Sequence, residues 1–329
     1  MHGTTETAAR RRSKSHRIPN RPPFECIALL LQGGGALGSY QAGVYEALAE
    51  GNLHPDWIAG ISIGAINSAI IAGNPPAERV AKLRGFWEEI TANPLLDWAG
   101  VLADLWLKGD FARGLFNQMS ANLAMFAGAA GFFALREHVM ASGSLPPGFP
   151  SAEIEGEFYW DGGLISNTPL QWVAEHGLGQ DTLAFQVDLW SARGDLPRNL
   201  LEVATRQKEI QYSSRTRANT DHFKRVQRIR TAISSLLGKL PKELLDGDEV
   251  KTLKEFGSHK VYNIVHLIYH ARNYEGQSKD YEFSRLSMED HWRAGYQDAV
   301  RTLRHPEVLE RPRSRDGIFV FDFHRDGRE

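Results

Sequence analysis

The stretch Gly60-Ile61-Ser62-Ile63-Gly64 stands between a strand-like segment, Asp56–Ala59, and a helix-like segment, Ala65–Ala72. A sharp turn from a strand into a helix forces its central residue into strained backbone angles and leaves no room for side chains at the flanking positions. Glycine at both ends of the stretch meets that requirement. The order of strand, G-x-S-x-G and helix predicts a nucleophile elbow with Ser62 at its tip.

A glycine run lies upstream of this turn. The continuous apolar run Cys26–Leu31 is typical of a parallel strand that is buried on both faces. The glycine-rich residues 33–38 follow it and lead into a helix-like stretch, Ser39–Glu50. Backbone N–H groups at a helix start, free of obstructing side chains, are suited to stabilise an oxyanion. We predict these donors at Gly33, Gly34, Gly35 and Gly38, with a further donor at Ile63.

A third signal, Asp161-Gly162-Gly163, follows the strand-like stretch Glu157–Trp160. A serine hydroxyl is a poor nucleophile unless a neighbouring base removes its proton, and Asp161 is our candidate for that base. A carboxylate near its ordinary pKa of about 4 is a weak acceptor at neutral pH, so this hypothesis requires a desolvated site. We expect the apolar stretch Phe158-Tyr159-Trp160 to provide it.

A histidine that completes a triad is the alternative to an aspartate acting alone, and it would follow Asp161 in the chain. None of the candidates lies in a recognisable catalytic loop, and their spacing is not that of a metal site. We therefore expect no metal. The candidates are His176, His222, His259, His266, His270 and His291.

Strands that alternate with helices predict an α/β fold with three layers, α/β/α, around a mostly parallel central sheet. Leu183–Leu189 and Val261–Tyr269 are further strands, and a capping-box pattern predicts a helix that opens at residues 287–290. In such a fold the functional loops lie at the carboxyl ends of the strands, where we expect all three motifs to meet.

Composition restricts the class of protein. The 329 residues include one cysteine, Cys26, which lies in an apolar strand and is expected in the core. The chain begins without the apolar stretch of a secretory signal, and no segment is apolar enough for a confident membrane span. We expect a cytoplasmic protein that does not bind nucleic acid. An acidic middle between basic ends leaves peripheral contact with anionic membranes open.

Two segments differ from the rest in composition. Residues 1–24 are basic and nearly free of apolar side chains, which predicts a disordered tail. Residues 93–150 are rich in aromatic side chains and are interpreted as an insertion over the sheet edge, either packed in the core or lining an acyl-chain groove.

The glycine run also satisfies the dinucleotide-binding fingerprint G-x-G-x-x-G, which makes an NAD(P)-dependent oxidoreductase an alternative. Such a site needs an acidic residue at the carboxyl end of the second strand. Here Asp56 opens that strand, and Gly60 follows its end. The arrangement favours a hydrolase, for which we expect no cofactor.

The three motifs together resemble the patatin-like phospholipase family. The segments GGGALGSYQAGVYEAL (33–48), GISIGAINSAI (60–70) and DGGLISNTPL (161–170) are similar to its oxyanion, nucleophile and aspartate blocks, in that order. The resemblance implies a dyad of Ser62 and Asp161 that works without histidine, and hydrolysis of lipid acyl esters. We expect a patatin-like catalytic domain over 25–195, followed by a mainly helical region over 196–329 packed on it. Within that region, KDYEFSRLSMEDHWRAGYQDAV (279–300) resembles a C-terminal extension of some bacterial members.

One residue departs from the family pattern. Many members have Arg or Lys where this chain has Leu37. We expect the absence of this cation to affect which lipid headgroup the protein prefers. Together with the basic C-terminal region, this departure makes a non-catalytic lipid-binding scaffold the third hypothesis.

Overall fold

A five-stranded parallel sheet forms the centre of the protein in the computed structural model. Its strands are β1 (Cys26–Leu31), β2 (Trp57–Gly60), β5 (Thr182–Asp188), β6 (Tyr262–Ile268) and β7 (Ile318–Phe321), in the spatial order β2-β1-β5-β6-β7. The two remaining strands, β3 (Ala152–Ile154) and β4 (Glu157–Tyr159), form a separate antiparallel pair. The structure describes residues 15–92, 141–146, 150–170, 179–213, 216–241, 244, 246–271, 275–276, 278–312, 314 and 316–323.

Helices cover both faces of the sheet. They are α1 (Gly38–Glu50), α2 (Ile63–Ala72), α3 (Pro76–Ile90), α4 (Leu200–Tyr212), α5 (Thr216–Leu237), α6 (Asp248–Phe256) and α7 (Arg285–Leu303). Short 3-10 turns lie at Gly35–Leu37, Gly162–Leu164, Lys279–Tyr281 and Pro306–Leu309. The predicted α/β/α fold with a mostly parallel sheet is confirmed.

Strand β1 is buried on both faces because it lies between two cores. Ile27, Leu29 and Leu31 belong to the core that includes Trp87 and Trp292. The alternate residues 26, 28 and 30 belong to a second core, which includes Phe223 of α5. Period-two alternation between two apolar layers explains why the sequence of β1 is a continuous apolar run. Burial also raises the pKa of the Cys26 thiol to about 11, as expected for a core residue.

The C-terminal region, residues 196–329, contributes strands to the central sheet as well as helices that cover it. It provides β6 and β7, so the central sheet contains strands from both sides of the predicted boundary at residue 195. Helix α7 begins one turn before the predicted capping box, because the Ser284 side chain accepts a hydrogen bond from the N–H of Ser287. No helix among the described residues is long and apolar enough to cross a bilayer.

The two segments of unusual composition are described in part. Within the predicted tail of residues 1–24, the described residues contact the folded chain: His16 lies 2.9 Å from Glu50, Arg21 pairs with Asp56, and Phe24 is buried. Disorder stays a prediction for residues 1–14, which lie outside the described residues. Most of the predicted insertion, residues 93–140 and 147–149, also lies outside them.

Helices α1 and α7 pack closely enough to require glycine at their contact. A Cβ atom at Gly43 would lie 1.9 Å from the carbonyl oxygen of Trp292, and one at Gly295 would lie 2.0 Å from that of Tyr40. Both obstacles are helix backbone, which cannot move aside without separating the two helices.

We therefore expect Gly43→Ala to lower the free energy of unfolding by about 1–3 kcal/mol, since overpacking at the helix contact outweighs the better helix propensity of alanine. Gly85→Ala is the matched control, because no atom lies within 4 Å of a Cβ on that residue of α3. The control should be neutral or stabilising in urea unfolding. Equal stability of the two variants would contradict the prediction.

Candidate active site

The predicted nucleophile elbow is present between β2 and α2. Ser62 has a φ of 56° and a ψ of −127°, which is a rare conformation for a residue with a side chain. A Cβ at Gly60 would lie 2.1 Å from the carbonyl oxygen of Gly64, and one at Gly64 would lie 2.4 Å from that of Leu31. Both glycines are thus required by sterics. The N–H of Ser62 donates to Oγ of Ser142, 2.9 Å away, a partner that sequence reasoning missed.

Asp161 lies in the same cavity as Ser62. The cavity is lined by Gly33, Gly34, Gly35, Ser62, Ile63, Gly143, Leu145, Asp161, Gly163, Asn167, Trp190, Tyr212, Asp280, Tyr281 and Phe283. Two residues that are 99 positions apart in the chain therefore meet at one site. They are the two that sequence reasoning selected as nucleophile and base.

The carboxyl group of Asp161 is buried and held on one side only. Its Oδ1 accepts a hydrogen bond from the N–H of Gly163 at 2.8 Å, whereas Oδ2 is buried and has no well-formed hydrogen bond with a described residue. Burial raises the pKa of Asp161 above its ordinary value, and hydrogen bonding from the Ser62 hydroxyl and the Gly163 N–H opposes that rise only in part. The balance leaves a carboxylate that accepts a proton more readily than an exposed one.

The source of this burial differs from our expectation. Phe158, Tyr159 and Trp160 are exposed, with 67%, 48% and 46% of their surface accessible, so they do not desolvate Asp161. The reason is that β4 pairs with β3 instead of joining the central sheet. Asp161 therefore does not follow a strand of the central sheet. Its N–H donates to the carbonyl oxygen of Ser144 at 3.0 Å.

Asn167 connects the aspartate segment to the glycine turn. Its Oδ1 accepts from the N–H of Gly33 at 3.1 Å, and its Nδ2 donates to the carbonyl oxygens of Gly33 at 3.0 Å and Tyr212 at 2.9 Å. The side chain thereby bonds both the glycine turn and the end of α4.

The candidate oxyanion donors separate into two groups. The N–H of Gly33 donates to Asn167 and that of Gly38 donates to the carbonyl oxygen of Gly35, so neither is free to bind an oxyanion. The N–H groups of Gly34, Gly35 and Ile63 donate to no described residue. Gly38 has a packing role, because a Cβ there would lie 2.4 Å from Ile63 Cγ1.

Protein contacts explain the other glycines of the turn. Gly35 has a φ of +54°, and a Cβ on it would lie 2.1 Å from the carbonyl oxygen of Asp280. A Cβ on Gly34 would lie 2.7 Å from Leu189 Cδ1. The G-x-G-x-x-G spacing therefore needs no bound dinucleotide to account for it. Leu37, where many family members have a cation, is fully buried in the core.

No histidine lies among the described residues that line the cavity. His266 lies 3.1 Å from Oγ1 of Thr220 and lines a different cavity, and His291 lies 3.3 Å from Glu275. His222, His259 and His270 line neither cavity, and His176 lies outside the described residues. The described carboxyl groups that line the cavity are those of Asp161 and Asp280, and Asp280 is paired with Lys208 at 2.6 Å.

The C-terminal region supplies one wall of the cavity. Tyr212 ends α4, and Asp280, Tyr281 and Phe283 belong to the segment that leads into α7. Burial and the carboxylates of Asp280 and Asp161 raise the pKa of the Tyr212 and Tyr281 hydroxyls, so both are neutral at physiological pH. Sequence reasoning had assigned none of these four residues to the site.

Comparisons with known proteins agree with this arrangement. A family model described as patatin-like phospholipase matches residues 29–125 and 133–173, and a second, described as patatin phospholipase, matches residues 210–315. A lysophospholipase, nte1, of Aspergillus terreus is 29% identical over 203 residues, which are 56% of this chain and 13% of the relative. A patatin-like phospholipase domain-containing protein of Caenorhabditis elegans is 28% identical over 127 residues, 39% of this chain and 8% of the relative.

The chain thus spans a small part of the length of the curated relatives that it matches. The first model covers the glycine turn, the elbow and the aspartate segment, and the second covers the region that supplies the Tyr281 wall. From the order of the three motifs, the parallel sheet and these matches, we conclude that the chain belongs to the patatin-like phospholipase family.

Proposed function

We propose that this protein is a serine hydrolase of lipid acyl esters, with Ser62 as the nucleophile and Asp161 as the base. The observation that supports this most strongly is the position of a strained serine and a buried carboxyl with raised pKa in one cavity, beside N–H groups that donate to no residue the structure describes. The names of the relatives support the substrate class, since they include lysophospholipases and patatin-like phospholipases.

Acylation of the enzyme follows from this geometry. Oγ of Ser62 attacks the ester carbonyl carbon while its proton passes to Oδ2 of Asp161, which has no competing hydrogen bond of good geometry. The carbonyl oxygen becomes an oxyanion that accepts from the N–H groups of Gly34 and Gly35. The tetrahedral intermediate then collapses and breaks the ester bond. The leaving alkoxide takes the proton from Asp161 and departs as an alcohol.

Deacylation reverses the proton transfers. Asp161, again a carboxylate, takes a proton from a water molecule as its oxygen attacks the acyl carbon of the Ser62 ester. The second intermediate collapses, and Oγ of Ser62 leaves and recovers its proton from Asp161. The products are a free carboxylic acid and the unmodified enzyme, so the cycle needs no cofactor or metal.

Peripheral contact with a lipid surface, in the cytoplasm, is part of this proposal. Large apolar side chains flank Asp161 in the chain and are exposed to solvent, and Ile165 is the most exposed at 94%. An exposed apolar cluster of this kind is typical of an interaction surface. Its members are Phe158, Tyr159, Trp160, Leu164 and Ile165.

The dyad is tested by substitution. We expect Ser62→Ala and Asp161→Asn each to reduce kcat/KM by about 10³-fold or more, because each removes an obligatory step of proton transfer or bond formation. Ser287→Ala, a buried serine on α7 away from the cavity, is the control and should retain activity. Asp161→Asn should be at least as stable as the wild type at neutral pH, because burial disfavours the charged form. Near-normal hydrolysis by either dyad variant would reject the proposal.

The pH dependence of the reaction tests the role of Asp161. The base must be ionised, so kcat/KM should fall as the pH is lowered through the pKa of Asp161. Burial raises that pKa, so the midpoint should lie above the ordinary value of 3.8. The measurement is a pH–rate profile with a soluble p-nitrophenyl ester. An acidic limb at or below the ordinary value would contradict a desolvated base.

A fluorophosphonate probe separates the hydrolase from a non-catalytic scaffold. The wild type should be labelled at Ser62, since phosphonylation requires an activated serine next to oxyanion donors. Mass spectrometry of the labelled peptide gives the site. A protein that binds vesicles but is not labelled, and that hydrolyses no short ester, would favour the scaffold.

The exposed apolar cluster predicts a variant that separates surface binding from chemistry. Ile165→Asp should reduce hydrolysis of lipid in vesicles several-fold, because a charge at this position opposes contact with an acyl surface. Activity on a soluble p-nitrophenyl ester should be unchanged, and this substrate is the internal control. An equal loss on both substrates would show that Ile165 acts within the site instead of at a lipid surface.

A further inference from the structure

The carbonyl group of Gly33 is fixed by two side-chain donors. Nε1 of Trp190 donates to it at 2.9 Å, and Nδ2 of Asn167 donates to it at 3.0 Å. A trans peptide is planar, with its C=O and N–H on opposite sides. Fixing the oxygen of the Gly33–Gly34 peptide therefore also fixes the direction of the Gly34 N–H, which is one of the two turn donors that bond no described residue.

The indole of Trp190 is itself held by a buried polar and aromatic environment. The N–H groups of Leu189 and Trp190 both donate to Oε1 of Gln32, at 2.6 and 3.0 Å, so the chain cannot move here without breaking them. The ring of Tyr212 lies 5.5 Å from that of Trp190. Trp190 is only 3% exposed.

Two ammonium groups also lie against this indole. Nζ of Lys279 is 5.1 Å from the ring centroid, and Nζ of Lys208 is 5.7 Å from it. Both distances are within the range of attraction between a cation and an aromatic ring. The ammonium groups thus contribute to the position of the residue that bonds Gly33.

A crossed pair of salt bridges places these ammonium groups. Lys208 and Glu209 are neighbours on α4, and Lys279 and Asp280 are neighbours on the 3-10 turn at 279–281. Lys208 lies 2.6 Å from Asp280, and Lys279 lies 2.5 Å from Glu209. The side chains of Lys279 and Asp280 are 3% and 5% exposed, so the pairs are shielded from solvent.

The same crossed pair also determines the position of the Gly35 N–H, which is the second turn donor. The carbonyl oxygen of Asp280 lies at the position that leaves no room for a Cβ on Gly35. The 3-10 turn at 279–281 therefore packs directly against Gly35 on one side, while Trp190 packs against Gly34 on the other. The N–H groups of both glycines are positioned by residues that do not themselves carry out the proposed reaction.

We propose that Trp190 and the crossed pair Lys208–Asp280 and Glu209–Lys279 are positioning residues, which hold the Gly33–Gly35 turn in the geometry that stabilises the oxyanion. This inference rests on the proposed function. It assigns a catalytic consequence to the C-terminal region, because the 3-10 turn at 279–281 orients donors that lie in the N-terminal part of the chain. The region would then be part of the active site and more than an added domain.

Trp190→Phe tests the indole, because it removes the Nε1 donor and keeps an aromatic ring. We expect kcat to fall by about 10- to 100-fold, less than the loss on deleting an oxyanion donor outright, with KM within about twofold of the wild type. Inhibition by a trifluoromethyl ketone, which forms a charged tetrahedral adduct with a serine, should weaken by a similar factor. If Trp190 had only a structural role, the substitution would lower the melting temperature, but it would not lower kcat while leaving KM nearly unchanged.

Trp292→Phe is the matched control. It removes a buried indole N–H, which donates to Glu46 at 2.5 Å, but it lies on α7 and outside the cavity lining. Its kcat should stay close to that of the wild type. If Trp190→Phe is no slower than Trp292→Phe in an otherwise active enzyme, this inference is wrong and the proposed function stands. If the wild type shows no hydrolysis that depends on Ser62, both fail.

The crossed pair is tested with two variants at one position. Lys208→Met should reduce kcat as Trp190→Phe does, and Lys208→Arg should recover most of it, because arginine keeps the charge and can still pair with Asp280. Folding is followed by the melting temperature of each variant. Equal kcat in both variants and the wild type would exclude the crossed pair from positioning the turn.

Discussion

The side chain of Asn167 makes the contact on which the candidate site depends most. Its amide bonds both the N–H and the C=O of Gly33 and, in addition, the end of α4 at Tyr212. Asn167 is buried, so each of these polar groups would reduce the stability of the folded state by about 1–3 kcal/mol if it were left without a partner. One planar amide thereby connects the aspartate segment, the glycine turn and the C-terminal region. These three parts of the chain are far apart in sequence, and no strand of the central sheet joins the aspartate segment to the other two.

Close packing leaves little space around the glycine turn and makes the turn rigid. Gly33, Gly34 and Gly35 each face a different neighbour at a distance that excludes a Cβ: Asn167, Leu189 and Asp280. Donors that are oriented before the substrate binds stabilise an oxyanion better than donors that must reorganise. In this protein, the same close contacts exclude a Cβ from the turn and hold its N–H groups in the orientation that the proposed reaction requires.

Burial of Asp161 has opposite effects on stability and on catalysis. A desolvated carboxylate whose Oδ2 has no well-formed hydrogen bond with a described residue is unfavourable for the folded state at neutral pH, where the raised pKa makes the charged form costly. In the proposed reaction, the same property makes Asp161 a stronger base for Ser62 than an exposed aspartate. Trade-offs of this kind are typical of active sites, where a local cost is offset by the rest of the fold. Here the offset comes from two apolar cores on either side of β1.

The sequence by itself determined the elements whose signals are local. The apolar run of β1, the glycines around Ser62 and the Asp161-Gly162-Gly163 segment each follow from backbone sterics or strand burial, which act over a few residues. Contacts between distant segments were decided only in the tertiary structure. Phe158, Tyr159 and Trp160 have an apolar pattern but lie in an exposed hairpin, because strand pairing depends on partners that the local sequence does not specify. Asn167, Trp190 and the wall at Tyr281 reached the site for the same reason: their contacts come from chain segments separated by more than 40 residues, and only the folded chain brings these together.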